Sequence, residues 1–144
     1  MKNFKLEIEI PYKNLNDIFI TALEGGSNYW YLLDVKAMNI IKKYKGKYDP
    51  EIHGPSKEYF YGTSTEAILL AVKSGEKIPV NDAEEEDDIL GYLSEEGIQK
   101  GLSALCTKLP EMIPYIVDSE NNIADAGVAD SIFQFIVLGE IVFG

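Results

Sequence analysis

Period-two alternation opens the chain. Lys5, Leu6, Glu7, Ile8, Glu9 and Ile10 alternate charged and apolar residues, the pattern of a strand with one solvated face, and Pro11 closes it. The period then changes to that of a helix. Asn14 offers an N-cap, and Leu15, Ile18, Phe19, Ala22 and Leu23 recur on one face until Gly25 and Gly26, predicting a helix over residues 15–24 that stops in a glycine turn of positive φ. Residues 29–35 are aromatic and branched and predict a second strand, antiparallel to the first. Met38, Ile41 and Tyr44 fall at intervals of three, which fits a short helix or a strand–turn–strand over residues 37–44. Residues 46–62, with five glycines or prolines and the single histidine, His53, are the least regular part.

The second half has clearer punctuation. Thr63, Ser64, Thr65 and Glu66 supply a cap and a first-turn acid for a helix through Lys73, which Gly75 ends. Residues 77–82 and 89–93 flank an acidic connector and predict a hairpin; Pro79 requires its first strand to be an edge strand or to carry a bulge. Ser94 caps a helix with Ile98, Leu102, Leu105 and Leu109 on one face and Pro110 at its end, and residues 111–118 give a further helical turn. Asp125 caps a last helix that is apolar on nearly every side, so it belongs at the centre of the domain or in an oligomer contact, and its apolar run through Ile141, Val142 and Phe143 predicts helix to the end of the chain. These elements predict an α+β fold in one domain, residues 1–144: a small antiparallel sheet packed against several helices, with a buried C-terminal helix.

Composition narrows the chemistry. The net charge of −11 is uneven: residues 1–77 hold eleven lysines against ten acids, and residues 78–144 hold two lysines against fourteen acids. Such a surface repels nucleic acid and anionic membranes and attracts a basic protein groove. No arginine occurs, so an anion would rest on lysine, hydroxyls and backbone N–H groups. One histidine and one cysteine, Cys106, cannot build a His/Cys metal site, and a lone cysteine on a core-facing helical pattern fits a reducing cytoplasm. The acids Asp82, Glu84, Glu85, Glu86, Asp87 and Asp88 lack the spacing of a calcium loop and read as a solvated hairpin tip or as a partner-binding surface. No cofactor or metal is called for, and the opening residues and the longest apolar run predict neither a signal peptide nor a membrane span.

The candidate site is Glu24, Gly25, Gly26, Ser27, Asn28, Tyr29, Trp30 and Tyr31, where a glycine pair precedes the single tryptophan, together with Asp130, Gln134 and Glu140 on the apolar last helix. Aromatic rings fixed beside a turn can stack a planar ligand or fill a core. A carboxylate buried without compensation is costly, so each polar residue of that helix requires a partner, the surface or a ligand. Glu140 bonding to the Gly25 and Gly26 amides is one such partnership, and Glu24 with Glu140 is the carboxylate pair that would serve acid–base hydrolysis.

These two segments, Glu24 to Tyr31 and Asp125 through Gln134 to the Gly139, Glu140, Ile141, Val142, Phe143, Gly144 tail, resemble a group of small, functionally uncharacterised proteins encoded by bacteriophages, prophages and plasmids. The resemblance carries no catalytic residue. It implies a mobile-element accessory role in a bacterial host cytoplasm. Three expectations follow from different classes: a non-enzymatic inhibitor of bacterial defence that sequesters a small nucleotide-type ligand at the glycine–aromatic turn; an acidic nucleic-acid mimic of the anti-CRISPR or anti-restriction kind, bound to a host defence protein; and a small carboxylate hydrolase.

Overall fold

The computed structural model describes residues 3–144; Met1 and Lys2, at the head of the charged–apolar opening, lie outside the described residues. Helix α1 (Tyr12–Thr21) starts directly after Pro11, earlier than an Asn14 cap predicts, because Pro11 already holds an extended φ of −71° at the N-cap. Asn14 is used elsewhere: its side-chain amide donates to the carbonyls of Ile116 and Val117, at 2.9 and 3.1 Å. Leu15, Ile18 and Phe19 form the buried face of α1. The helix then widens into a single π turn, Ala22–Gly26, closed by the Ser27 N–H on the Ala22 carbonyl at 2.7 Å. Neither Gly25 nor Gly26 takes positive φ, which corrects the expected glycine cap. Gly26 is needed for a different reason: a Cβ there would stand 2.6 Å from the Ala126 carbonyl oxygen.

Only β1 (Tyr31–Leu32) remains of the predicted second strand, because Asp34 caps α2 (Val35–Lys42) by accepting from the Ala37 N–H and draws Val35 into a helix. The irregular stretch holds one short helix, α3 (Pro50–His53), and a 3₁₀ turn, Lys57–Tyr59. Helix α4 (Ser64–Lys73) carries the full capping box predicted from Thr63 and Glu66. The hairpin is β2 (Ile78–Asp82) and β3 (Ile89–Leu93), and the antiparallel sheet runs in the order β1, β2, β3. Strand β2 is therefore central, which is unusual for a strand containing proline. It is tolerated because β1 pairs only with Asn81 and Asp82, leaving Pro79 without a β1 neighbour, and because the β2–β3 register shifts between Val80 and Asn81.

Helix α5 (Glu95–Lys108) is capped by Ser94 and buries Ile98, Gly101 and Leu105; Leu102 and Leu109 are half-buried, and Cys106, one position round from that stripe, is exposed rather than core-facing. A 3₁₀ turn (Pro110–Met112) leads into α6 (Ile113–Val117). Helix α7 (Ala126–Leu138), capped by Asp125, is the buried central helix and packs on α5, β3, α1 and the π turn. Close approach is what places it there. A Cβ at Gly101 would lie 2.5 Å from the Phe135 carbonyl oxygen, and one at Gly91 would run into the Val137 carbonyl, so both neighbours meet the α7 backbone directly. The helix does not continue to the chain end: Gly139 turns it off at φ +80°, and residues 140–144 fold back as a tail.

Residues 3–10 form no strand with any described element, and their apolar side chains stand open, with Phe4 and Leu6 each 91% exposed and Ile8 53%. Alternation specifies which residues share a face; it does not supply a partner, and the described sheet, in the order β1, β2, β3, does not include this segment. No helix among the described residues is long and apolar enough to cross a membrane.

The close approaches predict opposite outcomes at two glycines. Gly101→Ala should lower stability by about 1–3 kcal/mol or more, as overpacking against fixed backbone does. Gly25→Ala, with nothing within 4 Å and no positive φ, should be neutral or gain about 0.4–1 kcal/mol from the unfolded state. Urea denaturation midpoints of the two variants against wild type check this.

Candidate functional site

The π turn and the first half of α7 are held together by one carboxylate. Asp130, on the second turn of α7 and 8% exposed, accepts four hydrogen bonds: Ser27 Oγ–H at 2.7 Å and the Trp30 indole N–H at 2.8 Å on Oδ1, and Tyr29 O–H at 2.6 Å and Gln134 Nε2–H at 3.0 Å on Oδ2. Its four lone-pair positions are thereby filled. The charge was the reason to expect a partner for this residue, and the partners come from three residues of the glycine–aromatic segment. The π turn is what aims them: Trp30 N–H and Tyr31 N–H both fold back on the Ser27 carbonyl, at 3.1 and 3.4 Å, so Ser27, Tyr29 and Trp30 converge on one point.

Gln134 extends the network to the tail. Its side-chain oxygen accepts from the Val142 and Phe143 N–H groups, at 2.9 and 3.0 Å, and its amide nitrogen donates to the Phe143 carbonyl at 2.9 Å as well as to Asp130. The buried primary amide thus pairs with the tail as a backbone unit of a neighbouring strand would. Docking places the Phe143 ring parallel to Trp30, with centroids 5.3 Å apart and planes 8° apart, while Phe133 lies 5.7 Å from the indole on a tilted plane. Trp30 is 2% exposed.

The tyrosines beside the network are hard to ionise. Loss of hydration, then the hydrogen bond to the Asp130 carboxylate, pushes the Tyr29 phenol up to about 12. Tyr31 is likewise pushed up to about 12, by burial first and by the negative charge of Glu24 second, and its hydroxyl donates to the Leu23 carbonyl.

The predicted residues separate into two groups. Ser27, Tyr29, Trp30, Asp130 and Gln134 meet directly, Gly26 permits the approach of α7, and Tyr31 edges the Trp30 and Phe133 rings. Glu24, Gly25, Asn28 and Glu140 are exposed, and among the described residues neither the Glu24 nor the Glu140 carboxylate makes a hydrogen bond or ion pair. Glu140 therefore does not bond the Gly25 and Gly26 amides, and the apolar surroundings expected for a Glu24 and Glu140 acid–base pair are absent, because both side chains are exposed.

The acidic candidates sit on the β2–β3 tip. Glu84, Glu85, Glu86, Asp87 and Asp88 are all exposed, on a backbone fixed at several points. Asp82 N–H donates to the Asp88 carbonyl at 2.9 Å, Ala83 N–H to the Trp30 carbonyl at 2.9 Å, and the Asp82 side chain accepts from Glu84 N–H at 2.8 Å. Asn81, 2% exposed, donates from its amide to the Glu86 carbonyl at 2.7 Å, and its Oδ1 has no partner. Sequence reading passes over Asn81, and over Phe143 as the ring that covers Trp30. A buried asparagine at a strand end just before an acidic run is the one signal available for the first; nothing in the sequence marks the second.

His53 has a structural setting. Its Nδ1 accepts from Asp49 N–H at 2.9 Å, which leaves Nε2–H to donate to the Glu66 carbonyl at 2.8 Å, and its ring packs against those of Tyr48 and Phe60. Among the described residues no group of three or more His, Cys, Asp or Glu is placed to hold a metal ion. Comparison of the chain with family models, with curated proteins and with solved structures gives no match.

The network makes a sharp prediction because the single tryptophan reports on it. Asp130→Asn replaces an acceptor by a donor facing donors, and should lower stability by about 1.5–3 kcal/mol, the range for hydrogen bonds to a charged group. Gln134→Ala should free the tail and shift Trp30 fluorescence to longer wavelength while far-UV circular dichroism stays native. An unshifted Gln134→Ala spectrum would show that Phe143 covers Trp30 without the Gln134 clamp.

Proposed function

We propose that this is a non-enzymatic binding protein of a mobile genetic element, acting in the cytoplasm of a bacterial host, that presents its acidic second half to a basic groove on a host defence protein. The observation that carries the reading is the hairpin tip: five carboxylates, Glu84 to Asp88, project from a backbone already pinned by Asn81, Asp82 and Trp30. A preorganised array of like charge loses little conformational freedom on binding and speeds encounter with a positive partner. Residues 78–144 carry fourteen acids against two lysines, so the tip belongs to a broad negative field rather than to an isolated cluster. The nucleic-acid-binding groove of a nuclease or restriction enzyme is the kind of surface that such a field fits.

Sequestration of a small nucleotide is the second reading, and one geometry favours it. The parallel Phe143 and Trp30 rings are arranged as a base would be on that indole, so a nucleotide could take the place of the tail. In this reading Asp130 and Gln134 set the shape of the pocket, and Gln134 exchanges the tail for the ligand.

One capture experiment addresses both readings. Immobilised protein is exposed to bacterial lysate, with the retained proteins identified directly and the supernatant of the denatured protein searched for nucleotides by mass spectrometry. The acidic reading expects nucleic-acid-binding proteins that are lost when Glu84, Glu85, Glu86, Asp87 and Asp88 become Gln or Asn, and lost again in high salt, since exposed charges are screened beyond about 8 Å at physiological ionic strength. Capture that survives neutralisation and salt contradicts it, and a retained nucleotide that is lost in Trp30→Ala supports the second reading.

A further inference from the structure

The most regular period-two stretch of the chain is also the one that finds no strand partner among the described residues. Residues 5–10 alternate charged and apolar side chains, yet Phe4, Leu6 and Ile8 are exposed and Lys5 makes no ion pair among the described residues. Beside the segment lies a cleft of about 830 Å³ whose apolar lining includes Leu6, Ile8, Ile10, Leu15, Ile98 and Leu102. Exposed apolar side chains on a stretch of unpaired backbone are a template for addition of another strand.

The segment's own sequence, read in the opposite direction, is the strand that fits. Antiparallel pairing centred on Glu7 sets Leu6 against Ile8, Phe4 against Ile10 and Lys5 against Glu9, each pair occurring twice by two-fold symmetry. Apolar residues then meet on one face and opposite charges on the other, with a single like-charge contact, Glu7 on Glu7. Directly opposed Cβ atoms stand about 4.5–5.5 Å apart, so such pairs decide the register. Sliding two residues along opposes Glu7 and Glu9 twice and wastes Lys5 on Pro11. Parallel in-register pairing stacks Lys5, Glu7 and Glu9 each on its own copy. Sliding two residues the other way sets Lys5 on Glu7 but leaves Leu6 on itself and Ile10 against Lys2, whereas the centred antiparallel register keeps four apolar pairs beside its two opposite-charge pairs, with Glu7 on Glu7 as its one like-charge contact.

We infer that residues 4–10 pair antiparallel with the same residues of a second copy, making the protein a two-fold dimer joined by this ribbon. The isologous arrangement supplies the missing backbone partner of the segment. It also sets Phe4 of one copy against Ile10 of the other, at the rim of that copy's cleft, giving the exposed ring an apolar neighbour. The inference does not depend on which partner the acidic tip binds.

Charge reversal tests the register. Sedimentation equilibrium should show a dimer for wild type, loss of the dimer in Lys5→Glu, which opposes two acids at two places, loss again in Glu9→Lys, and recovery of the dimer in the combined Lys5→Glu, Glu9→Lys variant. Both positions are exposed, so each variant should keep native far-UV circular dichroism, which is measured alongside. A monomeric wild type, a dimeric Lys5→Glu or a monomeric double reversal each overturns the inference, the first leaving the segment to a foreign strand.

Discussion

A carboxylate at the centre of the molecule must be solvated by the protein itself, and the arrangement around Asp130 follows from that requirement. Removing an ion from water carries a penalty of several kcal/mol that only well-placed donors offset. Here the donors are two hydroxyls, an indole and a primary amide, and they come from the segment after the π turn and from α7 itself. Two stretches about a hundred residues apart are thereby tied at one point. Because every member is satisfied, the network specifies a single arrangement of the turn, the helix and the tail; with one donor missing, it would leave a buried charge underpaired.

That arrangement needs backbone contact that side chains would prevent. Gly26, Gly91 and Gly101 bring the π turn, β3 and α5 against the main chain of α7, so the helix is enclosed on several sides although it is only thirteen residues long. The tail completes the enclosure. Gln134 substitutes for a strand by binding Val142 and Phe143 through their backbone, and the Phe143 ring then seals Trp30. Most of the candidate residues of the glycine–aromatic turn and of α7 build this junction. The parts left to solvent, the acidic hairpin tip and the amino-terminal strand-like segment, are where contacts with other molecules are available.

Elements with local signals were legible in the sequence: α4 through its Thr63 and Glu66 box, α5 through Ser94, α7 through Asp125, and the β2–β3 hairpin through its alternation and acidic turn. The α+β class followed from these. Misreadings arose where the deciding interaction is remote. Residues 5–10 have strand periodicity but pair with no described strand, and Gly26 serves the approach of Ala126 rather than a positive φ, two roles that look identical in sequence. The apolar tail read as more helix because hydrophobicity outweighed Gly139, whose φ of +80° ends α7. At the candidate site, a charged residue on an apolar helix signalled that Asp130 and Gln134 need partners and that the two motifs meet. Glu24 and Glu140 carried no such constraint, and they stand in water.

The central claim is that Asp130 and Gln134 bind the glycine–aromatic turn, α7 and the tail into one cooperative unit. Native-state hydrogen exchange of three protons reads this directly: the Trp30 indole N–H and the Val142 and Phe143 amides. The account predicts that all three are strongly protected and exchange with a common opening free energy, although Val142 lies 57% exposed two residues from the chain end. Tail amides exchanging at the rate of unstructured chain, with the Trp30 indole still protected, would contradict it.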